Sequence, residues 1–424
     1  MIVVMNTKSS QMEFFLPQQE SKMVASRCLV VLCIVLSLFA HGKAGSNYKQ
    51  ALTKSILYFE AQRSGKLPGN QRVTWHGDSA LRNGSDAGVR YIMSTIQAGG
   101  SGRAKLPRIR PLGDRLFAKG AQCSQRALPL LFALRIHRMH LIFSIVLSRN
   151  HPGLYQNSIP VAGQFYPSSG SDDELLWAAA WLHRATNGNT YLDFLGNANN
   201  IGGVRSMFSW DDKFVGAQVL ISKVLLVLEK TVSMGGTWSQ YKNAADQFIC
   251  SVLQKGSNNV KLSPGRMFWW QPWNNFQYTA AATLALAAHS NYLSAAKASL
   301  LCPAGVVSPA DILAFVGEQV DYLLGSNPKK ISYMVGFGSA WPNKVHQRGD
   351  SIVSMKKDPS PVDCKGGFDR WFHSPNPNPS VIEGAVVGGP DADDWYNDDR
   401  ENYQQAEPST VTTAAFVGVL ARLI

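Results

Sequence analysis

The chain has 424 residues, 45% of them hydrophobic and 17% charged, enough for one large domain or two ordinary ones. Its formal net charge is +12, but residues 103–150 hold eight Arg, two Lys and the single acid Asp114, which leaves only +3 for the other 376 residues. That basic block has no Trp and no Tyr, and no basic motif interleaves with aromatics, so the sequence speaks against nucleic-acid binding.

The first feature along the chain is an apolar run, Cys28–Ala40, preceded by Lys22 and Arg27 and followed by Gly42-Lys43-Ala44. Small residues at those last positions suit a signal peptidase, and the run is short of the roughly 20 residues that span a bilayer. Residues 1–44 are therefore expected to be an upstream extension, ending before Met23, plus a secretory signal. Residues 45–424 are expected to form the mature domain, a secreted monomer with no stable membrane anchor. Cys28 and Cys33 would leave with the signal. Cys123, Cys250, Cys302 and Cys364 would remain, and the sequence does not choose a pairing among them.

After the signal most of the chain has a helical pattern. Tyr48–Arg63 carries Leu52, Ile56 and Phe59 on one side, with polar caps at Ser46 and Asn47 and a stop at Gly65. Residues 88–150 break the pattern, with Gly, Pro and Arg alternating without period. Helices are then predicted over Asp173–Thr186, Asp212–Lys230, Thr237–Leu253, Phe276–His289, Ala310–Leu324 and about Ser409–Leu423. Period-two strands are scarce, so the expected fold class is all-α, with helices paired in sequence. Loops rich in Gly, Pro, Asn and Trp separate them, as at Pro264–Asn275 and Gly336–Asp350, and such loops are where sites usually lie.

Three motifs carry candidate chemistry. In "WYNDDRENYQQAEPST", Glu407 stands just ahead of Pro408 and a helix start, near Asp398, Asp399 and Tyr403. A carboxyl there could serve as a general acid, although the same residues also fit a plain helix cap. In "VHQRGDS", His346 and Arg348 are two apart and would share one side of an extended strand, fit to hold sugar hydroxyls or simply to lie on the surface. Trp210, Trp269, Trp270, Trp273, Trp341 and Trp395 fall in predicted loops, where flat rings could stack on pyranose faces. Core packing is the alternative for any one of them.

Together these stretches resemble the plant cellulases of glycoside hydrolase family 9, over about 45–87 and 151–424. The resemblance rests on "RVTWHGDSAL", "DDELLWAAAWLHRAT", "FSWDDKFVGAQVL", "WNNFQYTAAATLAL", "VDYLLGSNPKKISYMVGFG", the His-x-Arg loop and the string Tyr396–Glu407. It implies an (α/α)6 toroid, incomplete or irregular at 88–150, and inverting endo-hydrolysis of β-1,4-glucan without a cofactor or metal. Carried over by position, Glu407 would be the general acid, with His346 an active-site histidine and Asp398 a supporting residue. Arg348 and Tyr403 would line the substrate cleft, and among the loop aromatics Trp210, Trp269 and Trp273 are the rings expected to bind substrate. Gln347, Ala340 and Thr413 are minor departures. The major departure concerns the base, which the family keeps in an Asp-Ala-Gly-Asp motif. Here Asp86-Ala87-Gly88 ends in Val89, and from Ala87 to Ser171 the only carboxylate is Asp114. A glucan-binding protein without turnover is therefore the alternative, and an error in the gene model would explain the odd composition of 88–150.

Overall fold

The structure, a computed structural model, describes residues 47–79, 81, 153–228 and 235–424. The signal, Asp86, Asp114 and the whole of 88–150 lie outside the described residues.

The long helices fall where periodicity and capping place them. Helix α1 spans Tyr48–Ala61, and the Asn47 side chain accepts from the Gln50 N–H at its start. A 3₁₀ turn at Tyr155–Asn157 and the short α2, Pro160–Gly163, lead to α3, Asp172–Thr186, which ends on left-handed Asn187. Then come α4 (Asn189–Gly196), α5 (Phe214–Leu228), α6 (Thr237–Val252) and α7 (Asn275–Ala296). Among the described residues the only sheet is an antiparallel hairpin, β1 (Leu300–Cys302) with β2 (Gly305–Val307). Helix α8, Pro309–Leu323, begins with a reciprocal cap: Ser308 accepts from the Asp311 N–H and Asp311 accepts from the Ser308 N–H. The short α9 (Arg348–Ser351), α10 (Cys364–Gly366) with a π-helical turn at Gly367–Phe372, and α11 (Tyr403–Ala406) lie in the long loops. Helix α12, Thr410–Leu423, closes the chain with Ser409 as its cap.

The helices pack in pairs: α3 with α4, α5 with α6, α7 with α8, and α12 with α1. One member of each pair also meets the next, in the order α3, α5, α7, α12. Helix α7 is the centre of this array and is buried on nearly every side from Asn275 to Ser290. Its small residues, Ala280, Ala281, Ala282, Ala285 and Ala287, let neighbouring backbones approach closely. All-round burial also explains why the sequence reading stopped this helix at His289, since no polar face marks its length.

Two apolar clusters result. The larger joins α1, α6, α7, α8 and α12 through residues such as Tyr58, Phe248, Phe276, Val316 and Phe416. The smaller joins α3, α4, α5 and α6 through Leu176, Leu195, Ile221 and Tyr241. A disulfide between Cys250 and Cys302 ties the end of α6 to β1, settling one pairing that the sequence left open.

Candidate active site

Pro408 holds the residue before it out of the helical region, and Glu407 accordingly has extended backbone (φ −77°, ψ 120°) between α11 and α12. Its position depends on several stitches. The Glu407 N–H donates to the Tyr403 carbonyl (3.1 Å), and the Asn274 N–H donates to the Gln404 carbonyl (2.8 Å), joining the root of α7 to α11. Gly388 passes so close to this segment that a Cβ would lie 2.4 Å from the Gln404 carbonyl oxygen. Only glycine fits there.

The structure gathers four of the expected residues. The Trp273 indole N–H donates to the Glu407 carboxylate at 3.4 Å, and the Trp273 and Tyr403 rings meet edge to face at 5.1 Å. The Tyr403 ring, 42% exposed, lies 6.0 Å from the His346 imidazole. The His346 N–H donates to the Ala406 carbonyl at 3.0 Å, which brings the His346 loop beside Glu407. Arg348 is exposed at the start of α9, two residues on.

Asp398 has a different place. Its two oxygens accept from the Asn343 N–H (2.9 Å) and the Lys344 N–H (3.1 Å), so it staples the His346 loop to the 396–407 string.

Trp210 pairs with Tyr166. Its ring lies 5.9 Å from Tyr166, edge to face. The Tyr166 hydroxyl is raised from its ordinary value, first by burial and then by the charges of Glu407 and Tyr155, so this pair stands within electrostatic reach of the acid. Trp269 does not join this constellation. It is half-buried against the larger core, with the Lys261 ammonium 5.1 Å over its ring. Trp270, the next residue, packs against the same core, and its indole N–H donates to the Ser206 carbonyl at 2.8 Å.

Sequence reasoning missed several groups. Tyr166 carried no motif. Arg400 stood inside the quoted string without a role, yet it is one of the largest fully buried side chains. Its guanidinium donates to the carbonyls of Trp371, Phe372, Ser374 and Asn376 and to the Asn378 side chain. Its own carbonyl accepts from His346 Nδ1 at 2.8 Å. Asp350 is 1% exposed, and burial pushes its carboxyl up to about 7. It cannot reach substrate. Glu174 is also raised to about 7, by burial first and then by a hydrogen bond with Asp173. No group of three or more His, Cys, Asp or Glu suited to a metal ion occurs among the described residues.

The sequence profile of Glycosyl hydrolase family 9 matches residues 48–107 and 132–420. The chain belongs to glycosyl hydrolase family 9. The family match runs further into 88–150 than the motifs alone indicated and leaves only 108–131 unmatched within it. Among curated relatives, Endoglucanase 14 of Arabidopsis thaliana is 44% identical over 94% of this chain and 99% of its own. Endoglucanase 14 of Oryza sativa subsp. japonica is 39% identical over 93% and 98%. The Arabidopsis alignment spans 486 residues, whereas 94% of 424 is about 399, so about 87 positions of that family 9 relative face no residue here. The endoglucanase of the termite Nasutitermes takasagoensis superposes with a TM-score of 0.62 at 26% identity, covering 89% of this chain and 98% of its own. The fold is thus the (α/α)6 toroid of family 9 endoglucanases, with four helix pairs present among the described residues.

Proposed function

We propose that this family 9 chain is a secreted endo-β-1,4-glucanase whose general acid is Glu407. The observation that carries the reading is the grouping of Glu407 with Trp273, Tyr403 and His346 at one end of the helical array. In this reading a glucan chain lies over Tyr403, Trp273 and the Tyr166–Trp210 pair, its apolar faces against the rings. His346 and Arg348 hold its hydroxyls. Glu407 delivers a proton to the departing glycosidic oxygen while water attacks the anomeric carbon from the opposite face, which inverts the configuration. The water needs a carboxylate base roughly 6.5–9.5 Å from the acid. Asp86 and Asp114 are the two candidates that the sequence offers. The apolar run Cys28–Ala40 supports export, and in this reading the protein works as a monomer in the cell wall.

A second reading is a glucan-binding protein without turnover, favoured by the absent Asp-Ala-Gly-Asp motif. Reducing-end release from a soluble β-1,4-glucan decides between them, with protein starting at Gly45 and Glu407→Gln as control. Release that falls by about 10²–10⁴-fold in the control supports the glucanase. A folded wild-type protein that binds cellotetraose and releases nothing supports the second reading. One that neither binds nor cleaves overturns both.

A further inference from the structure

A buried polar chain runs behind His346. Asp350 Oδ2 accepts from Asn378 Nδ2 at 2.9 Å, and the same amide group donates to the Val345 carbonyl at 2.9 Å. The other end of that side chain, Asn378 Oδ1, accepts from Arg400 Nε at 2.7 Å and from Nη2 at 2.5 Å. The Asn378 N–H donates to the Asn343 carbonyl at 2.8 Å. Arg400 closes the circuit, because its backbone carbonyl accepts from His346 Nδ1.

A carbonyl can only accept, so Nδ1 carries the hydrogen and Nε2 of the neutral ring is left as an acceptor. His346 thus owes its tautomer to the position of one carbonyl. That carbonyl belongs to a residue whose side chain is fixed by four backbone oxygens and by Asn378. Asn378 can serve Arg400 and Val345 together only if its amide is held in one orientation, and Asp350 supplies that hold. Asp350 meets the rest of the loop as well: its N–H donates to Gln347 Oε1 at 2.9 Å and its carbonyl accepts from the Ser380 N–H at 3.2 Å. Its second oxygen, Oδ1, is buried with no partner among the described residues. A carboxyl kept at such a cost needs a reason, since an unsatisfied buried oxygen costs about 1–3 kcal/mol.

We propose that Asp350 is a positioning residue that acts through Asn378 and Arg400 to hold His346 with its hydrogen on Nδ1 and its Nε2 free to accept a hydroxyl in the cleft. The cleft role rests on the glucanase reading above, but the tautomer does not.

The test compares Asp350→Ala, which removes the acceptor for Asn378, with Asp350→Asn, which keeps an oxygen there. The ring nitrogens of His346 are read by ¹⁵N NMR at pH 8, where a free imidazole is neutral, and assigned by their loss in His346→Gln. Wild type and Asp350→Asn are expected to show the Nδ1-protonated form, and Asp350→Ala a mixture of tautomers. Cellotetraose affinity should fall about tenfold in Asp350→Ala and return to within about twofold in Asp350→Asn, the scale of one lost hydrogen bond. If Asp350→Ala does not melt cooperatively, Asp350→Ser takes its place, its hydroxyl too short to reach Asn378. An unchanged His346 signature in a cooperatively folding variant overturns the proposal. A tautomer change with unchanged cellotetraose affinity overturns the part that concerns the cleft. A wild-type protein that binds no cellotetraose, yet shows the tautomer change, overturns the glucanase reading and leaves the positioning of His346 standing.

Discussion

The two sides of the cleft are built differently. The side that carries Glu407 and His346 is held mostly through backbone groups over long stretches of sequence: Asn274 to Gln404, His346 to Ala406, Asp398 to two N–H groups, Arg400 to four carbonyls. The side that carries Trp210 stands on the smaller core and is held by charges. There the Lys213 N–H donates to Asp173 at 2.6 Å, the Lys213 ammonium meets Glu174 at 3.3 Å, and the Ser169 N–H donates to Asp211 at 3.2 Å. A network closed on backbone groups changes little with pH. The facing network includes Glu174, a carboxyl raised from its ordinary value by burial. Glu407 therefore sits on the side stitched mainly through backbone groups, and Asp350 is the buried carboxyl within it that is raised from its ordinary value.

That contrast can be broken at Arg400. Arg400→Met leaves the carbonyls of Trp371, Phe372, Ser374 and Asn376 without their donors in a buried place. The expected loss is about 5 kcal/mol, read by urea denaturation, and a loss under about 1 kcal/mol would mean that the wall is held elsewhere. Next in size is the disulfide. Cys250→Ser with Cys302→Ser removes a link across a sequence separation of 52. The expected cost is about 4 kcal/mol, with a matching fall in Tm.

The two raised carboxyls sharpen the comparison. Asp350 and Glu174 each bind a proton more tightly in the folded chain than in the unfolded one. Between about pH 4 and pH 7 the folded state therefore holds the extra proton, and stability falls as pH rises through that window. Asp350→Asn should remove this slope and be the more stable form at pH 8 by about 2–4 kcal/mol, with no such advantage at pH 4. Glu174→Gln should act in the same direction with a smaller slope, because the Glu174 side chain is 45% exposed and water screens it. Thermal melts across pH 4–8 check both, and equal slopes would erase the distinction between the two sides. The smallest effect is expected at Trp273. Trp273→Phe keeps a ring against Tyr403 and loses only the 3.4 Å bond to Glu407. Turnover in the reducing-end assay should fall by about two- to fivefold, within the range of a single weak hydrogen bond.

The sequence carried the long helices well, because each has an apolar stripe or a cap: Asn47 for α1, Ser308 with Asp311 for α8, Ser409 for α12. It missed α4 and the hairpin, which are too short to show a period, and it cut α7 short for want of a polar face. The site was legible where a motif is local, as in the string from Tyr396 to Glu407. It was not legible where partners are far apart in sequence. Nothing near Arg400 in the chain announces that Asn378, 22 residues back, shares its charge. Nor does a loop position tell Trp269, packed on the core, from Trp273 beside the acid. Only the turn of the backbone between them decides that.

Gly388 gives the site a weakness of its own. The residue never faces the cleft, yet a single added methyl group would press on the carbonyl of Gln404, three positions before the acid. Damage to this enzyme can thus arise from a codon change that alters no reactive group and no residue in reach of sugar. Inherited variants that look innocent by distance should be judged by what they push.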